Sequence, residues 1–184
     1  MQPRTLIDFL AKIEKLKCNT RHCWTSSGRQ ESVADHSWRL AVLALLVAGE
    51  FPDVDIDKVV RMCLIHDFGE AVTGDIPSFL KTEKDEINET SAISDLLKLL
   101  PHDISHEFSL LFTEMEALNT SEAKLFKALD KIEALLTHNE SPLETWLPLE
   151  YEENLTYGID NASYSEYLKL LRDEIKRDTI KKIR

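Results

Sequence analysis

Apolar residues recur every three or four positions along most of this chain, and no stretch alternates apolar with polar as a half-buried strand does. That periodicity restricts the fold to packed helices. In TLIDFLAKIEKLK (5–17), Leu6, Phe9, Leu10, Ile13 and Leu16 fall on one stripe. A loop, CNTRHCWTSSGRQ, follows, and a helix is predicted over 31–51 with Ser32 as N-cap. The next helix is predicted over 55–72 with Asp57 as a candidate cap; Gly74 and Pro77 then turn the chain. Further helices are predicted over 82–100, about 103–118, 121–140 with Thr120 as cap, and roughly 163–181. The segment 141–160 contains Pro142 and Pro148 and reads as a long loop with room for a short helix. Its aromatics Trp146, Tyr151 and Tyr157 could cover a pocket or meet another subunit, though packing on the chain's own core is the plainer account. No repeat or internal boundary interrupts the pattern. The expectation is one all-α domain over 1–184, a bundle of about seven or eight helices.

Charge narrows the range of partners. The formal net charge is −11, so the surface repels a phosphate polymer, and long DNA or RNA is excluded as a partner. A small anion remains admissible where a metal ion or a few local cations draw it in. The longest apolar run, LAVLALLVAG at 40–49, is too short for a bilayer span, which needs about 18 residues or more. The N-terminal stretch mixes Asp8, Glu14 and several lysines with its apolar residues, unlike a signal peptide. A cytoplasmic protein is the simplest reading. Cys18, Cys23 and Cys63 are an odd set without paired spacing and read as free thiols; Cys18, His22 and Cys23 lack the second pair that a zinc finger needs.

Several polar groups spoil otherwise apolar helix faces. CLIHDFGEAVTGDIP (63–77) places His66, Asp67, Glu70 and Asp75 among Leu64, Ile65 and Phe68. His36 lies one turn into the apolar helix VADHSWRLAVLALL, and Asp130 is flanked by Leu129 and Ile132. Buried charge is costly unless paired or bound to an ion. Two imidazoles and two carboxylates form a suitable N/O set for a divalent first-row metal. Each residue also has an ordinary account. Asp130 could pair with Lys127 or Lys131 on a solvated face, and a lone helical His is more often surface or core than ligand. The combination of complementary types on three helices favours the metal.

These motifs are similar to those of a known family. His36, then His66-Asp67, then Asp130 resembles the H…HD…D signature of the HD-domain metal-dependent phosphohydrolases. ESVADHSWRLAVLA, LIHDFGEAVTGDIP, ALDKIEALL and LKCNTRHCWT resemble segments of its 5′-deoxynucleotidase branch. The resemblance covers roughly 5–140. It implies a homodimeric enzyme that removes the 5′-phosphate from nucleoside monophosphates, preferably deoxy ones. One divalent cation is implied, Co²⁺ or Mn²⁺ first and Mg²⁺, Fe²⁺ or Zn²⁺ next, held by His36, His66, Asp67 and Asp130. Glu70 would accept or orient the proton of the attacking water, and Asp75 would handle a proton or contact the sugar. Arg21 would bind the phosphate and Trp24 would narrow the pocket beside the sugar. Asp75 could equally be a turn-forming residue, Arg21 a solvated loop arginine and Trp24 a plug over the core. Lys131 could add positive charge near the phosphate, and Cys63 could line the pocket, with packing its plainer role.

Two rivals remain. His102 and His106 lie four apart between the HD pair and Asp130, so a two-metal enzyme such as an HD-type phosphodiesterase is conceivable, although PHDISHEF reads as surface. A non-catalytic nucleotide-binding module is the other.

Overall fold

The computed structural model describes residues Met1–Arg184. Its helices are α1 (Pro3–Ile13), α2 (Val33–Leu46), α3 (Ile56–Ile65), α4 (Glu70–Thr73), α5 (Glu83–Leu97), α6 (His102–Ala117), α7 (Ser121–Glu140), α8 (Glu150–Thr156), α9 (Ile159–Ala162) and α10 (Glu166–Ile183). Eight of these have seven residues or more, and α4 and α9 are single turns. The protein is all-α, with one short hairpin of β1 (Thr20–Trp24) and β2 (Gln30–Ser32).

Helix α7 runs through the middle, packed by α2, α3, α6 and α10. Its inner face carries Leu125, Leu129, Ile132 and Leu135, all nearly inaccessible, and they join Leu40, Val59, Met62 and Leu168 in one continuous core. Burial of each such side chain contributes about 1.5–3 kcal/mol. No helix is long and apolar enough to cross a membrane.

Local signals explain most boundaries. Ser32 caps α2 in a reciprocal capping box with Asp35, and the Thr120 hydroxyl accepts from Ala123 N at 3.2 Å at the start of α7. Helix α2 stops at Leu46, short of the expected 51; a 3-10 turn at Ala48–Glu50 follows, and Pro52 keeps Phe51 out of helical geometry. The cap of α3 is Asp55, not Asp57: Asp55 Oδ1 accepts from Lys58 N at 3.1 Å, which leaves Asp57 in the first turn. The proposed helix 55–72 is also interrupted. After Ile65 the chain tightens, with Phe68 N bonded to Ile65 O and Glu70 N to Asp67 O, each at 3.0 Å. Gly69 lets α5 approach closely here: a Cβ there would lie 2.6 Å from Glu89 Cγ and 3.1 Å from the Glu89 carbonyl on α5.

The hairpin replaces part of the expected loop. Its register pairs Thr20 with Ser32 and Trp24 with Gln30, with an irregularity between them. It docks on the end of α7, where the Ser141 hydroxyl lies 3.0 Å from Trp24 N and 2.7 Å from Trp24 O. TRHCW lacks two-residue alternation because the polar Arg21 and His22 both line a cavity rather than one of them facing solvent.

Candidate metal centre and adjoining cavity

Helix α2 supplies His36, the end of α3 supplies His66 and Asp67, and α7 supplies Asp130. His36 Nε2 lies 3.3 Å from Asp130 Oδ1; His66 Nε2 lies 3.0 Å from Asp67 Oδ2 and 4.0 Å from Asp130 Oδ1. Donor atoms of His36, His66 and Asp67 fall within 4.8 Å of one another. Donors around one small divalent ion, each about 2.1 Å from it, sit roughly 3 Å apart.

Both imidazoles are oriented from behind. His66 Nδ1 donates to the Cys63 carbonyl at 2.9 Å, so its Nε2 carries the lone pair. That Nε2 is buried and makes no hydrogen bond: with the proton on Nδ1, it has none to give the Asp67 carboxylate 3.0 Å away. His36 Nδ1 pairs with the carboxylate of Glu133, leaving its Nε2 facing the cluster. Outward-bonded Nδ1 atoms with converging Nε2 atoms are the arrangement by which a protein presents histidines to a metal. The donor set therefore fits a divalent cation.

Electrostatics agree with that fit. Despite burial and the Arg21 charge, Asp130 and Glu133 lift His36 to about 9: the surrounding carboxylates favour positive charge at this point. Burial opposes the charge on Asp130, yet Lys127, His36 and His66 hold it well below its usual range. Lys127 Nζ sits 2.8 Å from Asp130 Oδ2 and turns Oδ1 toward the imidazoles.

A cavity of about 620 Å³ opens from the cluster. Glu70 lines it, with its Oε2 buried and unpartnered. Burial, with Asp67, Asp75 and Glu89, pushes Glu70 up to about 10. Asp75 follows Gly74, whose φ of +77° makes the corner, and it too faces the cavity. Arg21 Nη1 donates to Glu31 at 2.8 Å and to Glu133 at 3.4 Å, which fixes the guanidinium from one side beside the cluster.

Other expectations are redirected. Trp24 is half-buried on the hairpin and does not line the cavity; its backbone is tied to Ser141 instead. Lys131 stands over the Tyr157 ring at 4.9 Å, outside the cavity, because consecutive helix positions diverge by about 100°. The ammonium groups that reach the cavity are those of Lys127 and Lys81. Cys63 is fully buried packing, and all three cysteines are free thiols. His102 and His106 stack on each other at 6.1 Å on the exposed start of α6 and do not line the cavity.

Sequence reasoning missed Glu133. Its carboxylate is fully buried and joins His36, Arg39 and the Thr137 hydroxyl, with Arg39 Nε donating to it at 2.6 Å. The available signal was its place in ALDKIEALL, three residues after Asp130 on the same apolar helix. Glu31, His36 and Glu133 form a second tight donor group, but Arg21 and Arg39 already neutralise it.

A family model described as an HD domain matches residues 13–172. The chain belongs to the HD-domain family. This HD domain is 36% identical over 141 residues to 5′-deoxynucleotidase HDDC2 of Bos taurus, covering 74% of this chain and 68% of that protein. It is 30% identical over 139 residues to 5′-deoxynucleotidase hdd1 of Schizosaccharomyces pombe, with coverage of 71% and 69%. A crystal structure from Magnetospirillum magnetotacticum MS-1, described as a predicted metal-dependent phosphohydrolase, superposes with a TM-score of 0.81 at 31% identity, covering 97% of this chain and 95% of that one.

Proposed function

We propose that the protein hydrolyses nucleoside 5′-monophosphates, preferentially 2′-deoxy ones, to nucleoside and phosphate. The observation that carries this is the convergence of two Nε2 atoms, both oriented by outward-bonded Nδ1 atoms, with Asp67 and Asp130 at the mouth of a nucleotide-sized cavity. The names of its relatives point to the same chemistry.

His36, His66, Asp67 and Asp130 would hold one divalent cation, Co²⁺ or Mn²⁺ by the N/O donor set, with Mg²⁺, Fe²⁺ and Zn²⁺ as alternatives. When bound, it supplies polarisation of a phosphoryl oxygen and acidification of water. Arg21 directs its free N–H groups at phosphoryl oxygens, held in place by Glu31 and Glu133. With a cation in the neighbouring cluster offsetting the burial and carboxylate repulsion that raise its pKa in the metal-free protein, Glu70 would take a proton from the water that attacks phosphorus, through its buried, unpartnered Oε2. As the P–O5′ bond breaks, Asp75 delivers a proton to the departing oxygen; burial raises its affinity for that proton. A homodimer is part of this reading and is checked by sedimentation.

The test is a phosphate-release screen of deoxy- and ribonucleoside monophosphates with each metal and with chelator. Metal-dependent release, abolished in His66→Ala or Asp67→Ala, is the expected result. Full turnover by either variant would sink the reading.

A further inference from the structure

The cavity has a second polar end, built largely by the part of the chain after Ser141. Helix α8 presents Glu150 and Asn154, one turn apart, and β1 presents His22. Glu150 and Asn154 are only 2% and 5% exposed. Glu150 Oε1, Asn154 Nδ2 and His22 Nε2 are all buried without a hydrogen-bond partner. Burying polar atoms without partners is costly, so three together lining one cavity mark a place where a polar ligand completes the bonding. One end of the Glu150 carboxylate is anchored: its Oε2 accepts from Leu147 N at 2.6 Å, leaving Oε1 aimed inward.

A cation is a poor occupant. His22 Nε2 and His138 Nε2 lie 3.3 and 3.6 Å from Glu150 Oε1, yet these groups are not among those whose donors converge within 4.8 Å. Distance favours the far end of a nucleotide. His138 borders this wall and lies eight residues beyond Asp130 on α7, which is roughly 12 Å at 1.5 Å per residue. That is comparable to the span of a nucleoside monophosphate from phosphorus to the hydrogen-bonding edge of its base.

We infer that Glu150 and Asn154, with His22 beside them, form a recognition site for the nucleobase edge, and that its ligand is a base carrying an N–H next to a carbonyl oxygen. The inference rests on the nucleotidase reading above. Glu150 Oε1 takes the N–H, and Asn154 Nδ2 donates to the carbonyl. Guanine, thymine and uracil present this pair on adjacent atoms and place an acidic N–H on the anion. Phe79, which stands edge-on to His22 at 6.1 Å, supplies apolar surface for the ring.

The test compares kcat/KM for deoxyguanosine and thymidine 5′-monophosphates with that for 2-deoxyribose 5-phosphate, which has no base. The wild-type ratio is expected to be roughly ten- to hundredfold in favour of the nucleotides, carried by KM. In Glu150→Gln, which keeps the Leu147 bond and the volume, the ratio should collapse toward one; Asn154→Ala should lower it too. A purely structural role would lower both substrates alike and leave the ratio intact, which overturns the inference. Preference for deoxyadenosine monophosphate overturns it as well. Phosphate release from the baseless substrate keeps the hydrolase reading standing in either case. No release from any substrate overturns that reading and this inference with it.

Discussion

Replacing Glu133 by Gln separates the proposed metal ligands from the group that orients one of them, His36. The substitution keeps the volume of a fully buried side chain but removes the charge paired with His36, Arg39 and Arg21. Loss of an outer carboxylate behind a ligating histidine weakens metal affinity by about 10- to 100-fold, which is about 1.4–2.7 kcal/mol. Stability responds separately. Against the cost of burial, His36, Arg21 and Arg39 pull Glu133 down to about 2 from an ordinary 4.5. Its folded value lies below its unfolded one, so the carboxylate stabilises the fold fully above about pH 4.5 and loses that effect as the pH falls toward 2. The difference corresponds to about 3 kcal/mol in metal-free protein. Chelator competition with Co²⁺, followed by its visible absorption, reads the affinity, and urea melts between pH 7 and pH 3 read the stability. Glu133→Gln should show the weaker Kd and a flatter pH dependence below pH 5. A Kd unchanged within twofold in a folded variant would refute the orienting role.

Gly69→Ala should cost about 1–3 kcal/mol through the clash with Glu89 on α5. For a chain of this size that is a fall of roughly 2–12 °C in Tm, and a Tm equal to wild type would show that α5 yields freely. Glu70→Gln should retain metal in equilibrium dialysis and lose about 10²- to 10⁴-fold in kcat; loss of metal would move Glu70 into the ligand set. Adding Mn²⁺ to chelator-treated protein at about 100 times its Kd should stabilise it by about 2.7 kcal/mol, visible as a Tm shift that His36→Ala abolishes. An equal shift in that variant would place the ion elsewhere.

Much of this architecture was legible in the order of residues, for local reasons. The stripe along 121–140 and the caps at Ser32 and Thr120 predict α7 and the start of α2, because a helix is held by groups within four residues of one another. Residues that spoil an apolar face, such as His36 and Asp130, were detectable by the same logic. The hairpin was not, since its strands follow no period and are held by Ser141, more than a hundred residues away. The break after Ile65 also escaped, since no proline marks it within 63–72, and the close approach of α5 to Gly69 is a tertiary contact.

The sequence by itself determined the helical class, the apolar stripes and the identity of the groups too polar for their surroundings. Only the tertiary structure decided which of them face one another. Lys127 rather than Lys131 meets Asp130, Glu133 stands behind His36, and Glu150 and Asn154 close the far wall. Side-chain direction on a helix is set locally, whereas the partner it meets depends on how whole helices cross, and that is fixed by core packing summed over the entire chain.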